Sequence, residues 1–102
     1  MNLKEFINKK IEDYNKQLDE TLEYYDRFRY EAVIETLKEI SFDAKIEDLN
    51  NMLNKYRKQQ EEYTGQFFSE YHYSLSDRIV IVKSIIKFLE EMGINNEKKY
   101  IN

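Results

Sequence analysis

The chain has 102 residues, 41% of them hydrophobic and 35% charged, with no cysteine, no proline and two glycines. This length suits one domain with a single modest core, and the shortage of glycine and proline excludes an all-β fold, which needs many turns. The missing cysteine excludes disulfides and thiolate metal sites, and the net charge of −4 argues against direct nucleic-acid binding.

The first helical segment is predicted over residues 3–40, which contain no glycine. Apolar residues recur there at steps of mostly three and four, the spacing of one helix face: Ile7, Ile11, Tyr14, Leu18, Leu22, Tyr25, Val33, Leu37 and Ile40. The stripe drifts as a straight helix of 3.6 residues per turn requires, which favours a bundle helix over a long supercoil. One unbroken helix would measure about 57 Å. We therefore expect either a break near residues 26–30 or an elongated or dimeric protein.

The second helix is predicted over residues 42–64. Ser41 suits the N-cap position, and Asp43 places a negative charge in the first turn. Gly65 suits the position just after the helix, where the backbone turns into the left-handed region. The apolar stripe of this helix is Ile46, Leu49, Leu53, Tyr56 and Tyr63.

The third helix is predicted to begin at Ser74 or Ser76 and to end at Gly93. It carries two apolar stripes, one of Leu75, Ile79, Val82, Ile86 and Leu89 and the other of Ile81, Ile85, Phe88 and Met92. Two stripes predict burial on two sides, so we expect this helix to be central. Residues 66–74 before it are rich in aromatic side chains and form either a connector or one or two helical turns.

Together these segments predict an all-α fold. The fold is a small antiparallel bundle of three or four helices, with a long first helix and a central third helix. Residues 1–94 make up the single helical domain, and residues 95–102 are expected to form a flexible C-terminal tail.

Catalytic and metal sites find little support in the residues. The only histidine, His72, has no serine or cysteine nucleophile in a recognisable motif around it. A di-iron bundle needs two Glu-x-x-His pairs, and this chain has one histidine. The D-x-D-x-D-G pattern of a calcium-binding loop is absent from the sequence. Two isolated glycines cannot form a glycine-rich phosphate-binding loop. We therefore predict no catalytic residue, no metal and no cofactor. An enzyme built on His72 is the third and weakest hypothesis.

Location follows from similar features. The N-terminus has no apolar stretch of the kind that marks a secretory leader, and no segment is long enough to span a bilayer. The absence of cysteine suits a reducing compartment. We therefore expect a cytoplasmic protein that makes no membrane contact.

Charge is unevenly divided along the chain. Residues 1–51 contain 8 basic and 13 acidic residues, whereas residues 52–102 contain 8 and 7. Asp19, Glu23 and Asp26 are spaced four and three apart, so a continuous helix would present them on one face. Such a face is either a solvated exterior or an imitation of nucleic-acid phosphates that would occupy a basic groove.

Aromatic residues give the strongest indication of function. Tyr and Phe side chains near the first bend and in the 66–74 segment exceed what one core needs, and Tyr and Arg are enriched in interface hot spots. The alternative is a purely structural role, in which these rings pack in the core and at its boundary with their hydroxyls in water. The predicted binding residues are Asp19, Glu23, Tyr24, Asp26, Arg27, Tyr30, Phe67, Tyr71, His72 and Tyr73.

The first functional hypothesis is a non-enzymatic protein that docks on a larger protein partner. It would act as an inhibitor or regulator, for example of a host defence or nucleic-acid-processing system, in a bacterium or its phage. The alternative is a structural oligomerisation module, a homodimer in which the first helix pairs with its copy. By size and class alone the chain is also similar to small helical bacteriocin-immunity proteins, which is a weak argument for function.

Overall fold

The computed structural model describes the backbone of residues 1–62 and 70–101 and the side chains of residues 1–62 and 74–93. These described residues form four α-helices: α1 (Leu3–Glu20), α2 (Tyr24–Glu39), α3 (Ile46–Glu62) and α4 (Glu70–Ile101). The same residues contain no strand. The predicted all-α bundle is therefore confirmed, in its four-helix form.

The expected long first helix is divided into α1 and α2 by a break at residues 21–23, ahead of residues 26–30. Thr21 has an extended backbone, with φ −99° and ψ 126°. Its hydroxyl donates to the carbonyl of Gln17 at 2.6 Å, and its N–H donates to the carbonyl of Leu18 at 3.2 Å. The Thr21 hydroxyl and N–H thus pair with carbonyls in the last turn of α1, and the chain leaves the helix at this point without glycine or proline. Leu22, part of the predicted stripe, is consequently exposed.

Helix α3 begins later than residue 42, and the prediction of Ser41 as its N-cap is wrong. The Ser41 hydroxyl donates to the carboxylate of Asp43 within the turn that follows α2. At the start of the helix, the N–H of Lys45 donates to the carboxylate of Asp48 at 2.9 Å, which is half of a capping box. The carbonyl of Lys45 accepts the first helical bond, from Leu49. The predicted end at Gly65 lies outside the described residues.

Helix α4 is longer than expected at both ends. It begins at Glu70, so Ser74 lies within it and is buried. It also continues through Gly93 to Ile101, so the predicted end at Gly93 is wrong. One glycine costs a helix only about 1 kcal/mol relative to alanine, which is too little to end it. The division into a domain of residues 1–94 and a flexible tail of residues 95–102 stays a prediction.

The centre of the bundle is α4, as its two stripes predict. It packs against α3 and against α2, whereas α1 packs mainly against α2. The side chains of Leu75, Val82 and Ile85 are fully buried, so both stripes face protein. Helix α1 meets α4 chiefly through Phe6, whose ring stacks on that of Phe88 with centroids 4.2 Å apart.

Helices α1 and α2 form an antiparallel hairpin. Tyr14 and Tyr30 meet near the bend, with ring centroids 6.0 Å apart, and Ile7 and Leu37 are buried nearer its open end. Tyr14 also lies beside Asp77, whereas Phe6, earlier in α1, stacks on Phe88, later in α4. Helix α1 is therefore antiparallel to α4 as well. This arrangement puts residues 21–23 and the first turns of α4 at the same end of the molecule, which we call the loop end.

Candidate binding surface at the loop end

Three large apolar side chains are exposed at the loop end. Leu22 is 94% exposed, Tyr24 61% and Tyr25 67%, and the two tyrosine rings lie edge to face with centroids 5.7 Å apart. Isolated exposed apolar residues are normal on protein surfaces, but neighbouring ones mark sites of interaction. We call Leu22, Tyr24 and Tyr25 the loop-end patch.

A half-open cavity of about 170 Å³ lies beside this patch, between α1, α2 and α4. Helix α2 contributes residues spaced three and four apart, α4 contributes a similar set, and α1 contributes one tyrosine. Val80 is exposed at the rim. The lining residues of this loop-end cavity are Tyr14, Asp26, Arg29, Tyr30, Val33, Asp77, Val80 and Ile81.

An ion pair spans the cavity and joins α2 to α4. The Nε and Nη2 atoms of Arg29 donate to the two carboxylate oxygens of Asp77 at 2.9 and 3.0 Å. The hydrogen bond to Asp77 raises the pKa of Arg29, and the charge of Asp77 adds to the effect. With Asp26 also in the wall, the cavity is lined by two carboxylates and one guanidinium.

Burial in the cavity wall raises the pKa of the Tyr14 phenol, and the electrostatic effects of Asp77 and Tyr30 raise it further, so this phenol stays neutral at physiological pH. The cavity therefore presents uncharged aromatic rings together with an excess of one negative charge.

Arg27, one of the predicted binding residues, is engaged within the chain. Its Nη1 donates to the carbonyls of Leu18 and Thr21 at 2.9 and 3.0 Å. These carbonyls lie at the end of α1, whose last turn contains no basic residue. The guanidinium therefore gives a second donor to the Leu18 carbonyl, which also accepts from the N–H of Thr21, and it opposes the negative end of the helix dipole. This contact gives Arg27 a structural role, and its part in binding stays a prediction.

The predicted acidic face does not form on a single helix. Asp19 lies in the last turn of α1, whereas Glu23 is the N-cap residue of α2 and Asp26 lies in its first turn. The break at residues 21–23 separates the first carboxylate from the other two. All three nevertheless remain at the loop end, where Asp19 and Glu23 are exposed and Asp26 is half-buried.

The other predicted site residues occur later in the chain. Phe67 lies outside the described residues. The backbones of Tyr71, His72 and Tyr73 lie in the first turns of α4, at the loop end, while their side chains are outside the described range. The structure therefore brings nine of the ten predicted residues to one end of the molecule, among them Tyr30 in the cavity wall.

A second polar cluster lies in the core and was missed by reasoning from the sequence. Arg78 in α4 is buried, and its Nη1 donates to the hydroxyl of Thr36 in α2 at 2.9 Å. Its Nη2 donates to Glu35 at 3.3 Å. Both Arg78 and Thr36 also interact with the hydroxyl of Tyr56 in α3. This core cluster links three helices, and no spacing in the sequence pairs residues so far apart.

The described residues were compared with what a metal site and a membrane-spanning helix require. Among the described residues, no group of three or more histidine or carboxylate side chains is placed to hold a metal ion. In the same residues, no helix is both long enough and apolar enough to cross a membrane.

Comparison with known proteins gives no relative. Neither protein-family models, nor curated proteins, nor solved structures match this chain. The exposed loop-end patch and the cavity beside it are therefore the features that bear on function.

Proposed function

We propose that this chain is a non-enzymatic helical protein that docks its loop-end patch on a larger protein. The observation that carries the proposal is the exposure of Leu22, Tyr24 and Tyr25 side by side at one end of the bundle. Tyrosine is enriched where interfaces gain most of their binding energy, because the ring buries a large area with little loss of rotamer freedom.

The way the patch is held also supports this proposal. Arg27 ties the bend to the end of α1, and the Arg29–Asp77 pair ties the next turn of α2 to α4. A surface that is already ordered loses little conformational entropy when it binds. The exposed carboxylates of Asp19 and Glu23 beside the patch favour a partner with a basic surface.

The biological role that we propose is that of an inhibitor or regulator. The partner would belong to a host defence or nucleic-acid-processing system of a bacterium, and the chain would come from that bacterium or its phage. An acidic surface that occupies a basic groove is one way to block such a system. We propose the cytoplasm as the location of this activity, and the absence of cysteine supports that choice.

Affinity capture with matched variants tests the docking surface. The tagged wild-type chain is compared with the triple variant Leu22→Ser, Tyr24→Ala, Tyr25→Ala and with Phe42→Ala, which truncates another exposed ring away from the loop end. Circular dichroism checks that every variant keeps its helices. We expect the wild type and Phe42→Ala to retain the same partner and the triple variant to lose it. Equal recovery with the triple variant would contradict the proposal.

A second copy of the chain is the competing partner for the patch. The predicted pairing of a long first helix with its copy loses its basis, since α1 folds back against α2. An isologous contact through the loop-end patch takes its place as the dimer hypothesis, because an exposed apolar patch can pair with itself about a two-fold axis. Light scattering separates the two functions: a monomer at high concentration eliminates the dimer, and a dimer abolished by the triple variant favours it.

A further inference from the structure

We infer that the loop-end cavity is a receptor for one cationic side chain, an arginine or lysine of the partner protein. The inference rests on the proposed function, since it assumes that the loop end is the docking surface. It adds the chemistry by which a partner would be recognised there.

Charge is the first argument for a cation. The guanidinium of Arg29 is already held by both oxygens of Asp77. Within the described part of the chain, Asp26 makes no hydrogen bond or ion pair, although its carboxylate lines the cavity. The charge of Asp26 acts on Arg29, but the guanidinium donates its hydrogen bonds to Asp77, so the half-buried Asp26 carboxylate keeps its acceptor capacity for a further cation. Such a pair is stronger there than in open water.

The aromatic wall is the second argument. Tyr14 and Tyr30 both line the cavity, with ring centroids 6.0 Å apart and planes inclined at 48°. Tyrosine rings attract guanidinium and ammonium groups that lie over their faces. Rings and a carboxylate in one recess therefore offer a cationic side chain both an electrostatic partner and a surface for its aliphatic stem.

Size and chemistry exclude the other occupants. About 170 Å³ is smaller than the roughly 300–1,000 Å³ of sites for drug-sized ligands, but it accommodates a single long side chain. An anion would be repelled by two carboxylates against one guanidinium. An apolar side chain would cover Asp26 without pairing it, which costs free energy.

The position of the cavity fits an anchor within a larger interface. Asp26 follows Tyr24 and Tyr25 directly in the first turn of α2, so a cation bound there lies within one helical turn of the loop-end patch. Interfaces often combine such a pocketed anchor with surrounding contacts that exclude water.

Nuclear magnetic resonance titration tests the receptor without the partner. The probe is N-acetyl-arginine amide, and its control is N-acetyl-citrulline amide, which has nearly the same shape but no charge. We expect the arginine probe to shift the ring signals of Tyr14 and Tyr30 saturably at millimolar concentrations and the citrulline probe to leave them in place. Equal shifts with both probes, or none with the arginine probe, would overturn the inference.

Two variants with the same change in net charge localise the effect. Asp26→Asn is expected to weaken binding of the arginine probe by about tenfold, the loss of one charge-assisted hydrogen bond. Asp13→Asn changes a carboxylate that lies on the side of α1 near Phe6 and Lys10, outside the cavity lining, and is expected to leave the affinity unchanged. Equal weakening by both variants would reduce the site to general attraction by an acidic protein.

The outcomes of the two experiments are separable. If the arginine probe fails to bind while the triple patch variant still loses the captured partner, the receptor is wrong and the proposed function stands. If the probe binds and responds to Asp26→Asn while the patch variant keeps the partner, the cavity binds cations but the docking surface is elsewhere. In that case the inference loses its premise.

Discussion

Two arginines join α2 to α4, and they do so in opposite surroundings. Arg29 in α2 makes a two-pronged ion pair with Asp77, and 56% of its side chain is exposed. Arg78, the residue after Asp77, reaches back to Thr36 and Glu35 with only 10% of its side chain exposed. Arg29 has the better carboxylate geometry, yet water competes for both charges of that pair. Arg78 has weaker partners, but losing them inside the core costs more.

The contrast separates two uses of polar groups in one small bundle. Asp77 lines an open cavity, and the next residue points into the contact of α2, α3 and α4. The core cluster favours one arrangement of the three helices. Any other packing of their apolar faces would leave the buried Arg78 without hydrogen-bond partners. In the loop-end cavity, Arg29 and Asp77 pair with each other, and the carboxylate of Asp26 lies beside them in the wall.

The largest expected effect is the loss of the core arginine. Arg78→Ala removes buried volume and leaves the hydroxyl of Thr36 without its donor, so we expect the free energy of unfolding to fall by about 3 kcal/mol. Urea denaturation followed by circular dichroism measures it. Arg29→Ala is the matched control, since it makes the same truncation on the other arginine. Equal losses from the two variants would refute the distinction between the clusters.

Thr36→Val tests the core cluster with less change in shape. The variant keeps the volume of a fully buried side chain but removes the oxygen that accepts from Arg78. We expect a loss of about 1–2 kcal/mol in the free energy of unfolding, because a buried donor is left unpaired. In an Arg78→Ala background the same change should cost clearly less, since the donor is already gone. Additive losses would show that the two residues act separately.

The sequence predicts the core of α4 well and its polar member not at all. The two stripes at helical spacing identify buried residues such as Val82 and Ile85 and the central place of the helix. Arg78 stands between the stripes as a charged residue, which composition and spacing assign to solvent. It is buried because α2 and α3 converge on that side of α4, a property of tertiary packing.

Boundaries were harder to predict than elements. At the break of residues 21–23, Arg27 reaches the end of α1 and donates to the carbonyls of Leu18 and Thr21, a contact that no local signal predicts. The end expected at Gly93 fails because a single glycine is a weak stop signal without other features. Local residue types suggest such boundaries, and contacts across the bundle decide them.

One part of the candidate site could be expected from the sequence, and the other part could not. The surplus of aromatic residues predicts an interaction surface, which stays a prediction, and the structure adds that Tyr24 and Tyr25 are exposed. The cavity beside them combines Tyr14, Arg29 and Asp77 from three helices. No motif connects those positions, so their juxtaposition becomes visible only in the fold.

The exposed ion pair should contribute little to stability. We expect Arg29→Ala to lower the free energy of unfolding by less than about 1 kcal/mol, because solvent screens the pair and holding the long Arg29 side chain in one geometry costs conformational entropy. The difference from wild type should shrink further in high salt. Urea denaturation at low and high ionic strength measures both effects. A loss as large as that of Arg78→Ala, unchanged by salt, would mean that the pair is effectively buried.

Alkaline pH distinguishes the two clusters by their tyrosines, with the smallest expected effect. Burial raises the pKa of Tyr14 above 10.0, and Asp77 and Tyr30 add to the rise. Burial also raises the pKa of Tyr56, with a smaller contribution from Glu39. A raised pKa in the folded state contributes stability that is fully present below pH 10.0. It is lost as the pH rises, because the unfolded chain releases its proton first.

The free energy of unfolding should therefore fall as the pH rises above 10.0, and Tyr14→Phe should make that fall less steep. The variant keeps the ring that lines the cavity and removes the proton that titrates. Tyr56→Phe does the same in the core cluster, although it also removes the hydroxyl that interacts with Arg78, so it should lower stability at neutral pH as well. Urea titrations below and above pH 10.0 provide the slopes. Parallel curves for the wild type and Tyr14→Phe would show that the Tyr14 phenol ionises as freely in the folded protein as in the unfolded chain, contrary to the burial that raises its pKa.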